Sequence, residues 1–166
     1  MFRVALVVSC MFLILYSTRG AAATNVHVVN KTPNTLCIKY WVPNHIGGGC
    51  EELKPYEACD VGTTPEWSGA TMWAIQGVCA GQACNTGPPS GVSQFEFTID
   101  GFSGFDYYDV SIRAGFNVGI SVQPTNPACP SQFCMGPDQC QGMLPNGPDQ
   151  TRSCASGSTD YVVYYY

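Results

Sequence analysis

The chain reads as an all-β protein, an antiparallel sandwich stapled by disulfides with little helix. Three observations lead there. Short alternating or wholly apolar runs recur from Asn25 onward between clusters of Gly, Pro and Asn. No window of eleven or more residues carries the 3.6-residue apolar period of a helix. Ten cysteines in 166 residues, nine of them after an apolar leader, mark a secreted disulfide scaffold rather than a reduced intracellular chain.

The leader comes first. Arg3 precedes an apolar run from Val4 to Leu15, and the small residues Ala21 and Ala23 form a cleavage site. The run is shorter than the roughly 18 residues a membrane span needs, and no second such run follows. We therefore expect residues 1–23 to be a signal peptide, residues 24–166 to be the mature domain, and the protein to be extracellular without a membrane span. Cleavage removes Arg3 and Arg19, leaving five basic side chains against twelve acidic ones, a formal net charge of −7. Such a chain is repelled by phosphate backbones, which argues against nucleic acid as a partner.

The strand candidates follow in order: NVHVVN (25–30), LCIKYWV (36–42), TMWAI (71–75), QFEFTI (94–99), YYDVSI (107–112), NVGISVQ (117–123) and DYVVYYY (160–166). In QFEFTID, Phe95, Phe97 and Ile99 share one face, so Glu96 points to the other. After the glycine turn at Gly101 and Gly104, Tyr108, Val110 and Ile112 share a face, while Tyr107, Asp109, Ser111 and Arg113 share the opposite one. Two strands thus each carry a carboxylate on a polar face. Nothing between the proline-rich connections 87–91 and 123–130 resembles a linker between domains. The sequon Asn30-Lys31-Thr32 makes Asn30 a glycosylation candidate, provided it lies on an exposed turn.

Cys10 belongs to the leader, so the mature chain keeps nine cysteines, an odd number. One thiol is left free or joins a second molecule, making the protein a monomer or a disulfide-linked dimer. There is no paired Cys-x-x-Cys set, and His27 and His45 are far apart in sequence, so we expect no metal and no cofactor.

Four segments together resemble the thaumatin-like proteins, specifically the small type that lacks the second, disulfide-rich domain. GGGCEELKPYEACDV (47–61) is similar to the family's glycine-rich turn followed by Leu-x-Pro-Gly, with Tyr56 where glycine is usual. MWAIQGVCAGQAC (72–84) resembles a Trp-Ala-Arg segment joined directly to a Gly-x-Cys-x-x-Gly-x-Cys. FEFTIDGFSGFDYYDVSIRAGFNV (95–118) resembles the family signature, and CPSQFC (129–134) with the tail from Cys140 keeps the family order. The resemblance implies a flattened jelly-roll barrel in which Cys129 pairs with Cys154 and Cys134 with Cys140. The bridge between first strand and last residues is absent, since Thr32 and Tyr164 or Tyr165 stand at those positions. Deletions relative to the family orphan Cys79 and Cys84, so we expect a local bridge between them, which requires Cα atoms about 4.4–6.8 Å apart. A pairing among Cys37, Cys50 and Cys59, with one left over, is the remaining expectation.

Larger members of that family carry an acidic cleft of one arginine, one glutamate and three aspartates, and some bind or slowly hydrolyse β-1,3-glucans. Glu96 and Asp109 match two of those positions. The arginine position is Ile75, one aspartate position is Ala114, and the last falls at or near Gly142. The candidate binding residues are therefore Glu96, Asp109, Asp106 and the sugar platform Tyr107, and no residue is assigned a catalytic role. The resemblance implies a secreted defence-type protein recognising a β-1,3-glucan-like cell-wall polysaccharide or fungal surface. Two alternatives are an inhibitor of a secreted microbial enzyme such as a xylanase, and a weak endo-β-1,3-glucanase.

Overall fold

The computed structural model describes residues 24–43, 48–63, 67–157 and 159–166. The expected signal peptide, residues 1–23, lies outside the described residues. In chain order the strands are β1 (Asn25–Asn30), β2 (Leu36–Trp41), β3 (Gly48–Leu53), β4 (Ala58–Gly62), β5 (Ala70–Gln76), β6 (Gln94–Thr98), β7 (Phe105–Ser111), β8 (Ile120–Pro124), β9 (Gln132–Gly136), β10 (Gln139–Cys140), β11 (Arg152–Ala155) and β12 (Tyr161–Tyr165). Among the described residues a single 3₁₀ turn, Phe102–Gly104, sits in the β6–β7 connection.

The strands form two six-stranded sheets, ordered β10-β9-β8-β12-β1-β4 and β11-β7-β6-β5-β2-β3. Their alternation explains the layering. Val26, Val28, Ile120, Val122, Tyr161, Val163 and Tyr165 face inward from the first sheet, and Leu36, Ile38, Met72, Ala74, Phe95, Phe97, Tyr108 and Val110 from the second. Each large apolar side chain buried in this way contributes about 1.5–3 kcal/mol. Aromatic contacts line the interior: Phe95 stacks on Phe97 along β6 with centroids 4.5 Å apart, and Tyr108 meets Tyr161 across the sandwich at 5.1 Å. Trp73 is fully buried but on the outer side of its sheet, opposite Lys39 and Gln94, with the Lys39 ammonium 5.8 Å from its ring centre.

Pairing is antiparallel except between β1 and β12, which run parallel from Val26 opposite Tyr161 to Asn30 opposite Tyr165. This ladder stands where the terminal bridge is missing. The Lys31 amide donates to the Tyr165 carbonyl at 2.7 Å, the Tyr166 amide to the Gly119 carbonyl at 2.9 Å, and the Lys31 ammonium lies 5.5 Å from the Tyr164 ring centre. The terminal tyrosines are thus part of the fold.

Asn30 corrects the glycosylation expectation. Its side chain is fully buried; Nδ2 donates to the carbonyls of Asn34, Leu53 and Lys54, and Oδ1 accepts from the Thr32 amide and hydroxyl. The asparagine and threonine of the sequon have been spent on tying the β1–β2 turn to β3, because a buried amide must satisfy all its donors and acceptors. A glycan on Nδ2 has no room in this fold.

Cysteine pairing also differs from expectation. Cys129 pairs with Cys154 and Cys134 with Cys140, but no bridge joins Cys79 to Cys84. Instead Cys37 pairs with Cys79 and Cys50 with Cys84, at Cα separations of 4.9 and 5.3 Å. The reason is strand order. Because β2 lies between β3 and β5, Cys37 on β2 and Cys50 on β3 both stand beside the chain leaving β5, and each captures one cysteine of that loop. Cys59 on β4 is left free, and burial, followed by the charges of Glu51 and Asp60, pushes its thiol up to about 11. A thiol so far from ionising is a poor reactant for an intermolecular disulfide.

Candidate functional site

Glu96 and Asp109 are directly opposed across the β6–β7 pair, on the outer face of the second sheet. The register extends this contact into a row, since Thr71 faces Glu96 on one side and Trp41 on the other. With strands about 4.8 Å apart, Trp41, Thr71, Glu96 and Asp109 run about 14 Å across the sheet. Above the acidic end lies a cleft of about 250 Å³ lined by Thr71, Glu96, Thr98, Tyr107, Asp109 and Thr151, among others. The expected residues Glu96, Asp109 and Tyr107 are therefore brought together.

Their electrostatics differ from those of two free surface carboxylates. Asp109 is only 6% exposed, and its buried Oδ2 has no hydrogen-bond donor among the described residues. Burial raises its pKa to about 7, helped by the negative charge of Glu96 and by a hydrogen bond that Asp109, once protonated, makes to it. Asp149 adds a smaller push in the same direction, and Arg113 opposes it. Arg113 does not close an ion pair over Asp109; its Nη2 donates to the Gly147 carbonyl at 3.3 Å. Like charges placed side by side cannot both ionise freely, so Asp109 holds its proton well above the usual aspartate range.

Asp106 is not part of this cleft. It lies on the opposite side of β7, fully buried, and accepts from the Asp100 amide at 2.9 Å and from the Tyr161 hydroxyl at 3.1 Å. The alternation of an extended chain explains this: positions 106 and 109 differ by an odd number and face opposite ways. Asp106 is a core acceptor that anchors the β6–β7 turn to β12. Tyr107 does line the cleft, with its hydroxyl donating to the Phe102 carbonyl at 3.1 Å, so its ring is the part left for a ligand.

The three departures from the family's acidic set have distinct settings. Ile75 sits on the outer face opposite Cys37, and Ala114 lies in the exposed turn after β7. A Cβ at Gly142 would collide with the Val110 carbonyl, so this position excludes any side chain, acidic or not. The close approach is fixed by the Met143 amide, which donates to the same carbonyl at 2.7 Å.

Asp149 and Thr151 belong to the site although nothing singles them out in the sequence. Asp149 Oδ1 accepts from the Thr151 amide at 2.8 Å and its hydroxyl at 2.7 Å, which holds the Asp149 carboxyl below the usual aspartate range. An Asp-x-Thr turn of this kind is a local signal. Its position beside β7 comes only from the pairing of β11 with β7.

Pathogenesis-related protein 5 of Arabidopsis thaliana is 30% identical over 137 residues, covering 69% of this chain and 55% of its own length. Pathogenesis-related protein 1A/1B of Hordeum vulgare is 26% identical over 178 residues, covering 93% of this chain and 95% of its own. The chain spans between half and two thirds of the length of the first curated relatives it matches. Among solved structures, the thaumatin-like xylanase inhibitor TLXI superposes with a TM-score of 0.63 at 17% identity, over 84% of this chain and 97% of that one, a likeness of fold. The model of the thaumatin family matches residues 30–162, which takes in every strand from the end of β1 into β12, and the chain belongs to that family.

Proposed function

We propose that this is a secreted, antifungal defence-type protein that recognises a β-1,3-glucan-like cell-wall polysaccharide through the Glu96–Asp109 cleft and does not turn it over. The direct opposition of the two carboxyls carries this reading. Retaining glycosidases hold their carboxyls about 5–5.5 Å apart and inverting ones about 6.5–9.5 Å, because a sugar carbon or a water must stand between them. Here Asp109 and Glu96 stand side by side on neighbouring strands, and the protonated Asp109 carboxyl is engaged with Glu96, which speaks for a pair turned toward each other rather than poised on either side of a glycosidic bond. What the pair offers instead is a set of acceptors for sugar hydroxyls, with the hydroxyls of Thr71, Thr98 and Thr151 around it and the Tyr107 ring as a wall. The leader and the four disulfides support an extracellular setting.

Retention on insoluble β-1,3-glucan tests the reading. Wild type is expected to be retained, Glu96→Ala and Asp109→Ala to be retained several-fold less, and none to release reducing sugar from soluble glucan. Absent retention, or retention untouched by both substitutions, overturns it.

A second reading, inhibition of a secreted microbial hydrolase, draws on the similarity in size and fold to a xylanase inhibitor. It locates the contact in loops 88–93 or 141–148 rather than the cleft. A panel of microbial xylanases assayed with and without the protein separates the two, since loss of enzyme activity that survives Asp109→Ala favours inhibition.

A further inference from the structure

Arg152 begins β11 and stands opposite Tyr108, on the inner side of the second sheet. Beyond it the β11 edge of one sheet approaches the β9–β10 edge of the other, and the seam holds a cavity of about 460 Å³. Its lining includes Ser131, Gln141, Leu144, Pro148 and Gln150, and Arg152 is the only charged residue in it.

The guanidinium is under-used. Its Nη2 donates to the Gln150 side chain at 3.2 Å, while Nε is buried with no acceptor among the described residues. No carboxylate lies within 4.0 Å of it among those residues; the acid nearest in sequence, Asp149, is held by Thr151 and feels the charge of Arg113 instead. Gln132 is no substitute, because its amide is consumed by the Gln150 carbonyl and the Val110 amide. In a chain with a clear excess of acids, a half-buried arginine without a counter-ion is an unsatisfied anion receptor.

The geometry points to Arg152 as the recognition residue of a second carbohydrate site, which takes the carboxylate of a uronic acid unit in an acidic polysaccharide. A planar guanidinium fork matches a carboxylate in two parallel hydrogen bonds. The cavity is in the size range of small-ligand sites, enough for one sugar ring. Ser131, Gln141 and Gln150 supply the hydroxyl and amide groups that ring hydroxyls need, and Leu144 and Pro148 the apolar surface for a ring face. The cavity shares no residue with the Glu96–Asp109 cleft, so this inference stands independently of the glucan reading.

The test compares three ligands on the intact secreted protein: a galacturonate trimer, the same trimer fully methyl-esterified, and a β-1,3-glucan trimer. Binding is read by calorimetry and by the Arg152 Nε–Hε resonance. The acid trimer is expected to bind about tenfold or more tighter than its ester and to shift the Arg152 resonance. Arg152→Gln is expected to lose that preference, Arg152→Lys to keep part of it, and Glu96→Gln to keep all of it. Equal affinity for acid and ester, undiminished acid binding by Arg152→Gln, or an unmoved resonance at saturation overturns the proposal. So does displacement of the acid trimer by equimolar phosphate or acetate, which would reduce the cavity to an unselective anion pocket. If Arg152→Gln fails to fold, the acid-against-ester comparison and the resonance in the wild type still decide.

Discussion

Asp109 stands directly opposite Glu96 on neighbouring strands, and its buried carboxyl is the member of the pair that keeps the proton, with a pKa raised to about 7. The unfolded chain holds that group at the ordinary aspartate value of 3.8. The fold therefore gains by keeping Asp109 protonated; the gain is complete below about pH 4 and is lost as pH rises through 7. Each pKa unit is worth about 1.4 kcal/mol, so the loss between pH 4 and 8 is on the order of a few kcal/mol. Asp109→Asn, which keeps a donor for Glu96 without a titrating proton, removes this dependence. The difference in melting temperature between variant and wild type is expected to grow in favour of the variant from pH 5 to pH 8. A difference that stays constant with pH overturns the assignment.

Two inward-facing tyrosines of β12 separate a satisfied hydroxyl from an orphaned one. Tyr161 donates to Asp106 at 3.1 Å, whereas the Tyr165 hydroxyl is buried with no partner among the described residues. Removing one partner of a buried pair costs about 1–3 kcal/mol, and removing an unpaired hydroxyl recovers part of a desolvation penalty. Tyr161→Phe is expected to destabilise by about 1–3 kcal/mol, and Tyr165→Phe to stabilise by up to about 1 kcal/mol. Urea unfolding of both variants checks the opposite signs; a shared sign contradicts the contrast.

The strands that alternate cleanly, β6 and β7 above all, were legible in the sequence, including the face on which Glu96 and Asp109 meet. The same alternation, followed strictly, excludes Asp106 from that face. Strands β3, β4, β9, β10 and β11 were not legible. Gly48–Leu53 carries two glycines and two glutamates with little apolar contrast, and the others are short pieces that become strands only by pairing, β4 with β1, β9 with β8, β10 with β9 and β11 with β7. The disulfides of Cys37 and Cys50 depend on β2 lying between β3 and β5, a tertiary fact with no local signal. The exclusion of any side chain at Gly142 and the proximity of Asp149 to Asp109 are of the same kind.

Cys59 should behave as a silent thiol. With its pKa at about 11, only about one part in a thousand is thiolate at pH 8, and the side chain is half-buried on β4. An aromatic disulfide reagent is expected to find no reactive thiol in the native protein at pH 8 within an hour, and one per chain after unfolding in guanidinium. Non-reducing electrophoresis is expected to show monomer. Rapid native labelling, or a dimer abolished by Cys59→Ala, would contradict this.

Tyr56 occupies a backbone conformation that suits glycine. In the turn Lys54-Pro55-Tyr56-Glu57 the Glu57 amide donates to the Lys54 carbonyl at 3.1 Å, and Tyr56 has φ of 64° while its side chain is 69% exposed. A proline followed by a residue with positive φ is the type II arrangement, in which a Cβ at the third position is crowded. Left-handed backbone costs a non-glycine residue about 1–2 kcal/mol, and glycine returns about 0.5–1 kcal/mol through the greater freedom of its unfolded chain. An exposed ring offers little to set against that difference. Tyr56→Gly is therefore expected to stabilise by about 0.5–1 kcal/mol and Tyr56→Asn by less, while Tyr56→Ala, which keeps the Cβ, gives no gain. Denaturant midpoints of the three variants check the order, and an alanine variant as stable as the glycine variant would show that the ring, not the backbone, is the source of strain.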